Sequence, residues 1–330
     1  MPYFSIIIPV YNRPQEVAEL LESLTHQTAQ DFEVIIVEDG SQISSQEIVE
    51  PYRNRLMLSY YFIPNGGPAK ARNYGAAKAG GEYLIVLDSD CIIPSDYIKN
   101  VLDEIKVTSA DAFGGPDKAA DDFTDIQKAI NYSMTSFFTT GGIRGGKKKL
   151  DKFYPRSFNM GIKKELYEQL NGFADMRFGE DIDFSIRLYQ TGSKVCLFPS
   201  AWVYHKRRTD WRKFFRQVYN SGIARINLYL NYPDSLKLVH ILPAAFTIGA
   251  IALIIGSLFC TWSLLPLFIY VLLLFLDAAI ETRSLKIGFL SIIASFVQLS
   301  GYGCGFLYAA WRRIVLKKDE FSAFERTFYK

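Results

Sequence analysis

The chain is 330 residues long, with a formal net charge of +3 and a hydrophobic fraction of 49%. That charge is too small to argue for a nucleic-acid partner. The four cysteines, Cys91, Cys196, Cys260 and Cys304, lie far apart without CxxC spacing, so neither a zinc knuckle nor a disulfide framework is indicated, and a reducing cytosolic face fits them.

The N-terminus, "MPYFSIIIPVYNR", has no basic n-region and too short an apolar run for a signal peptide, so the front of the chain is expected to stay in the cytoplasm. Strand-like runs "FSIIIPV" (4–10), "FEVIIVED" (32–39) and "EYLIVLDSD" (82–90) are rich in Ile and Val. They alternate with helix-like stretches "PQEVAELLESLTHQ" and "PAKARNYGAAKAG". Runs too apolar for a one-sided strand, separated by helices, predict a buried parallel sheet of βαβ units. Ligands of such sheets bind beyond the carboxyl ends of the strands, which directs attention to "YNR", to Asp39 with "GS", and to "DSD". On an extended chain Asp88 and Asp90 point to one side, an arrangement that suits a hard divalent cation carrying phosphate. Taken alone, the same two acids read more readily as a solvated turn.

Further on, "RFGEDIDFSIRL" (177–188) places Glu180, Asp181 and Asp183 directly after a glycine, at the start of a helical pattern. Acids there interact favourably with the helix dipole and cap free N–H groups, so the stretch by itself needs no chemical role. The basic run "HKRRTDWRKFFRQ" follows, and within it Trp211, Phe214, Phe215 and Val218 recur at i, i+3, i+4 and i+7, opposite Arg212, Lys213 and Arg216. That pattern fits a helix packed on the domain; its nearness to the apolar region instead favours one lying on an anionic membrane surface. From Leu238 to Trp311 the chain is almost continuously apolar. Segments 238–260 and 287–311 exceed the ~20 apolar residues that cross a bilayer, and 264–280 is at the short end. Three spans are expected. With a cytosolic front they put "RRIVLKK" outside, against the tendency of Lys and Arg to stay in the cytoplasm, so one segment is a candidate for a re-entrant or interfacial position. Asp277, an acid within these segments, is expected to reach the interface from near its helix end.

Six stretches together, "SIIIPVYNR", "VEDGS", "NGGPAKARNYG", "YLIVLDSD", "NMGIKKELYEQLNGF" and "GEDIDFSIRL", resemble in order and spacing the family 2 glycosyltransferases, over about residues 3–205. The resemblance implies a Rossmann-like α/β glycosyltransferase A nucleotide-sugar domain followed by an all-α transmembrane region. Its implied organisation is a catalytic domain at 1–205, an interfacial helix and linker at 206–237, membrane helices at 238–311 and a polar tail at 312–330. It further implies a nucleotide pocket of Pro9, Tyr11 and Asp39, with Asp39 facing the base, and a donor site extended by Arg72, Asp88 and Ser89. Asp90 resembles the family's metal-binding acid, and His205 in "VYHKR" stands where many members place a histidine on the metal, Mn2+ or Mg2+. Asp181 resembles the base, with Glu180 orienting the loop or an acceptor hydroxyl, while Asn159 and Gly161 would lie on the acceptor side. The "QxxRW" of processive synthases is absent, "FFRQVYNSG" standing in that region.

The expected activity is inverting transfer of sugar from a nucleotide donor, a UDP-sugar, to a lipid-linked saccharide at the inner face of the cell membrane. Transfer to polyprenyl phosphate and a non-catalytic subunit that presents nucleotide sugars are the alternatives. Nothing in the sequence specifies an oligomeric state.

Overall fold

The computed structural model describes residues 2–118, 123–140, 153–176, 178–206 and 208–319. Its strands are β1 (Phe4–Val10), β2 (Phe32–Asp39), β3 (Leu58–Ile63), β4 (Tyr83–Leu87), β5 (Cys91–Ile92), β6 (Ala112–Gly114), β7 (Asp117–Lys118), β8 (Asn159–Lys163), β9 (Val195–Leu197) and β10 (Val203–His205). Its helices are α1 (Pro14–Thr25), α2 (Gln46–Val49), α3 (Pro68–Lys78), α4 (Tyr97–Thr108), α5 (Asp125–Thr135), α6 (Phe137–Thr140), α7 (Lys164–Gln169), α8 (Glu180–Gln190), α9 (Trp211–Asn231), α10 (Leu238–Gly256), α11 (Leu265–Thr282) and α12 (Leu285–Ala310). The chain divides into two compact units. The described residues of the first fall within Met1–Ala120 and Lys152–Lys206, and those of the second within Asp121–Asp151 and Arg207–Phe321.

In the first unit, the described strands of the main sheet run in the order β3-β2-β1-β4-β8-β6-β9. β1 pairs in parallel with both β2 and β4, and β2 with β3. This is the expected βαβ half, and β1 and β2 coincide with the runs read from sequence. The other half departs from the all-parallel expectation, because β8 enters antiparallel between β4 and β6. Alternate residues of the parallel strands feed two cores. Ile6, Ile8, Val34 and Ile36 pack with Val17, Leu20, Leu21 and Leu24 of α1. Ile7, Ile35 and Val37 face Ala69, Ala71 and Ala76 of α3. Helices on both faces explain why these strands show no polar alternation.

The second unit is helical. Among the described residues three helices are long and apolar enough to cross a membrane, Leu238–Gly256, Thr261–Thr282 and Leu285–Val315. α12 packs against α5, α9, α10 and α11. Gly301 and Gly305, one turn apart on α12, approach Val218 and the Tyr219 backbone of α9 so closely that an added Cβ would lie 2.5 Å and 2.0 Å from them. Small residues at this spacing let helix backbones meet.

Two expectations change here. The described part of the segment assigned by sequence to the catalytic domain between 121 and 151 groups with the helices, because Ala129, Ile130 and Met134 of α5 bury against Ile287 and Ala294 of α12. The apolar stripe of α9 is not left for a membrane surface: Phe214 and Val218 are buried in that same cluster with Trp211 packed on it, and Phe215 stays exposed. Asp277 of α11 is tied to α5, its Oδ2 accepting from the Tyr132 hydroxyl at 2.5 Å.

Candidate active site

All described groups of the candidate site belong to the first unit: at the carboxyl ends of β1, β2 and β4 and just beyond them, on α3, before β8, at the start of α8 and on β10. Pro9 lies near the end of β1, in register with Val37 of β2, and Tyr11 follows directly, half-buried. Asn12, with φ of 53°, donates its N–H to Ser41 and accepts the N–H groups of Gln42 and Ile43 on its side-chain oxygen, tying the loop after β1 to the loop after β2. Asp39, at the end of β2, is buried. Its two carboxylate oxygens accept the N–H groups of Gly66 and Gly67 at 2.7 and 2.8 Å, which shapes the entry to α3. Glu38 beside it, unremarked in the sequence, is fully buried and bonds Ser41, the Ser45 N–H and Tyr60.

The "DSD" acids do not lie on an extended chain. β4 ends at Leu87, and the Asp88 carbonyl accepts the Cys91 N–H at 3.1 Å, closing a turn in place of an extended chain. Asp88 therefore turns to Arg72 of α3 at 2.9 Å, while Ser89 is buried in the turn. Asp90 meets Arg13 through Oδ2 and the His205 Nε2 through Oδ1, the latter at 3.2 Å. The approach of His205 is a matter of register: β10 pairs antiparallel with β5, setting His205 opposite Cys91, one residue after Asp90. The His205 ring stacks on Phe158 with centroids 4.9 Å apart. Ligand atoms of Asp90, Cys91 and His205 lie within 4.8 Å of one another, a grouping that can hold a metal ion. Burial pushes the Cys91 thiol well above its ordinary pKa.

The helix-start acids are all occupied. Gly179, at φ of 86°, turns the chain into α8. Arg72 bridges Asp88 and Glu180, donating to each at 2.9 Å, with its guanidinium 5.3 Å from the Phe173 ring centroid. Asp181 accepts the Arg156 Nε at 2.6 Å and the Ile182 N–H at 2.8 Å. Burial alone would raise the Asp181 pKa, but the charge and hydrogen bond of Arg156, helped by Arg72, hold it below the ordinary carboxylate value. Glu180 moves the other way, raised first by burial and then by the neighbouring Asp181 charge. Asp183 is buried and pairs with Arg187 at 2.8 Å; Arg187 in turn donates to the carbonyls of Leu170 and Gly172, so this acid braces the loop before α8.

Asn159 and Gly161 both lie on β8, Asn159 in register with Leu87 at the end of β4 and Gly161 with Ile85. Asn159 is fully buried in β8, its amide accepting from Tyr97 and donating to the Ala201 carbonyl. At Gly161 an added Cβ would lie 2.0 Å from the Phe113 ring, so the glycine is required by packing. Arg13, Arg156 and Phe158 carry no sequence motif that assigns them to the site, although "YNR" did end on Arg13.

The sequence model of glycosyl transferase family 2 matches residues 5–170. The chain belongs to this family. It is 29% identical over 202 residues to the uncharacterized glycosyltransferase EpsJ of Bacillus subtilis (strain 168), covering 59% of this chain and 58% of EpsJ. The chain thus spans less than two thirds of that relative's length. Among solved structures, the mannosyltransferase PcManGT from Pyrobaculum calidifontis, in complex with GDP-Man and Mn2+, aligns over 90% of this chain and 87% of its own with TM-score 0.63 and 18% identity. Residues 1–349 of S. aureus TarS, in complex with UDP-GlcNAc, align over 95% of this chain and 92% of theirs with TM-score 0.51 and 19% identity. These likenesses agree on the glycosyltransferase A-like sheet domain of this family 2 chain.

Proposed function

We propose that this chain is a membrane-anchored, metal-dependent inverting glycosyltransferase that moves sugar from a UDP-sugar to a lipid-linked saccharide acceptor. The observation that carries the reading is the meeting of Asp88, Glu180 and Asp181 with Arg72 and Arg156, beside the Asp90–His205 pair, at the carboxyl ends of the parallel half of the sheet. The complexes of the two structural neighbours with GDP-Man and UDP-GlcNAc support a nucleotide-sugar donor, and that of the mannosyltransferase with Mn2+ supports a divalent ion.

The donor nucleotide is assigned to Pro9, Tyr11 and Asp39, and its ribose and phosphates to Arg72, Asp88 and Ser89. Asp90, in the turn before β5, and His205, on β10, offer a carboxylate oxygen and an imidazole nitrogen 3.2 Å apart, a donor set that suits Mn2+ or Mg2+. When bound there, the ion supplies positive charge for the departing diphosphate. Asp181 accepts the proton of the acceptor hydroxyl as its oxygen attacks the anomeric carbon. The new C–O bond forms as the sugar–phosphate bond breaks, the electron pair leaves with the nucleoside diphosphate, and the anomeric centre inverts. Glu180, held by Arg72, orients the acceptor. The three apolar helices anchor the enzyme in the cell membrane with its catalytic unit facing the cytoplasm, where tethering raises the effective concentration of a membrane-held acceptor. The exposed Arg212, Lys213 and Arg216 of α9 are assigned to anionic lipid.

The test incubates detergent-solubilised full chain with a panel of nucleotide sugars, lipid-linked saccharides and Mn2+ or Mg2+. Acceptor-stimulated nucleotide release from a UDP-sugar is the expected result. Binding of nucleotide sugar without turnover on any acceptor would return the chain to the role of a presenting subunit.

A further inference from the structure

Arg13 closes the "YNR" loop after β1 and lies against Asp90 Oδ2. The other Asp90 oxygen faces His205 at 3.2 Å. A cation approaching this carboxylate on the Oδ2 side meets a guanidinium already there, and like charges do not share one oxygen in a site where Asp90 is nearly buried. Arg72 and Arg156 are each fixed to site acids of their own, Arg72 between Asp88 and Glu180 and Arg156 on Asp181. Arg13, at 30% exposed, and Arg156, at 36%, are open to solvent where Arg72, at 4%, is not, and of the two open guanidiniums Arg13 is the one on Asp90.

We propose that Arg13 and a divalent cation are alternative counterions of Asp90, and that Arg13 passes to the diphosphate of the donor when the cation takes its place. The inference rests on the metal site proposed above and adds to it a donor-binding residue and an order of events. Arg13, Arg72 and Arg156 face Asp88, Asp90, Glu180 and Asp181, so charge in the site is nearly balanced. A divalent cation entering alone must displace Arg13 and leave a guanidinium without its carboxylate. Entering with a nucleoside diphosphate, whose charge cancels its own, it leaves Arg13 an anion that matches the planar guanidinium fork. Cation and nucleotide therefore bind cooperatively, and the coupling resides in Arg13.

The test measures Mn2+ binding to detergent-solubilised full chain by the loss of the free-ion electron paramagnetic resonance signal, without nucleotide and with UDP. Wild type is expected to bind Mn2+ weakly alone and about tenfold more tightly with UDP, in line with the exchange of one charged hydrogen-bonded pair. Arg13→Gln should bind Mn2+ alone about tenfold more tightly than wild type and lose most of the response to UDP. Arg13→Met, which keeps the aliphatic stem, gives the same measurement should the glutamine variant fail to fold. Wild-type Mn2+ affinity in both variants would overturn the exchange while leaving the metal site standing. If wild type with UDP binds no more Mn2+ than Asp90→Ala, the metal site itself falls, and this inference with it.

Discussion

Arg156 donates its Nε to Asp181 at 2.6 Å, and Asp181 also takes the N–H of the residue that follows it. The carboxylate assigned as base is thereby held ionised and aimed. Asp181, with its folded pKa below the unfolded value, stabilises the fold above the unfolded pKa and loses that contribution as pH falls through the folded one. Glu180, raised by burial and by Asp181, does the reverse: its contribution is present below the unfolded pKa and is lost as pH rises through the folded one.

Replacing Arg156 by Gln removes the charge and leaves burial, which raises the Asp181 pKa, dominant. The acid limb of the kcat/KM profile should move to higher pH, with Arg156→Lys between the variant and wild type. An acid limb at the same pH in all three would separate Arg156 from the base.

Metal removal is the second expectation. Exhaustive chelation should abolish donor turnover, and Asp90→Ala should lose most metal-dependent activity while remaining folded, since Asp90 lies in the turn after β4 and not in its hydrogen-bond ladder. Full turnover after chelation would remove the role given to Asp90 and His205.

A third expectation concerns the helical unit. Tyr132→Phe deletes the hydroxyl that Asp277 accepts at 2.5 Å and leaves the Ser136 hydroxyl, at 3.5 Å, as the other donor within reach. A fully buried acceptor deprived of its donor costs about 1–3 kcal/mol; Asp277 is half-buried, so the melting temperature in detergent should fall by less than that full cost implies. The double variant Tyr132→Phe with Asp277→Leu should recover part of the loss. Equal melting of Tyr132→Phe and wild type would show that the contact contributes nothing to stability.

Cutting the chain after Pro233 retains the sheet and its two cores but removes α12, the partner of Ala129, Ile130 and Met134 on α5. The fragment should bind UDP as the full chain does, yet associate in size-exclusion chromatography unless detergent covers α5. A monodisperse fragment in plain buffer would mean that α5 buries its apolar face without the membrane helices.

The parallel half of the sheet was legible because strands buried on both faces read as unbroken Ile and Val runs, as in β1 and β2. The apolar spans were legible for a similar reason. β8 was not: "NMGIK" is short and mixed, and its antiparallel entry depends on long-range pairing with Leu87 and Gly114. The attachment of α5 to the helices was hidden because its stripe of Ile126, Ile130 and Met134 has the same period whichever partner covers it. Within the site, the acids could be picked out by motif and the arginines could not, since Arg13 meets Asp90 across 77 positions and Arg156 meets Asp181 across 25. His205 came only through resemblance, and the β5–β10 register is what brings it to Asp90.

The most direct test of the account is the transfer rate of Asp181→Asn, measured together with UDP-sugar binding and melting temperature. Asparagine nearly preserves the shape and removes the proton-accepting charge, so transfer should fall by about 10²- to 10⁴-fold with donor affinity little changed. Asparagine also serves as well as aspartate at a helix start, so near-wild-type transfer by a stably folded Asp181→Asn would contradict the assignment and leave the acids of α8 with a purely structural part.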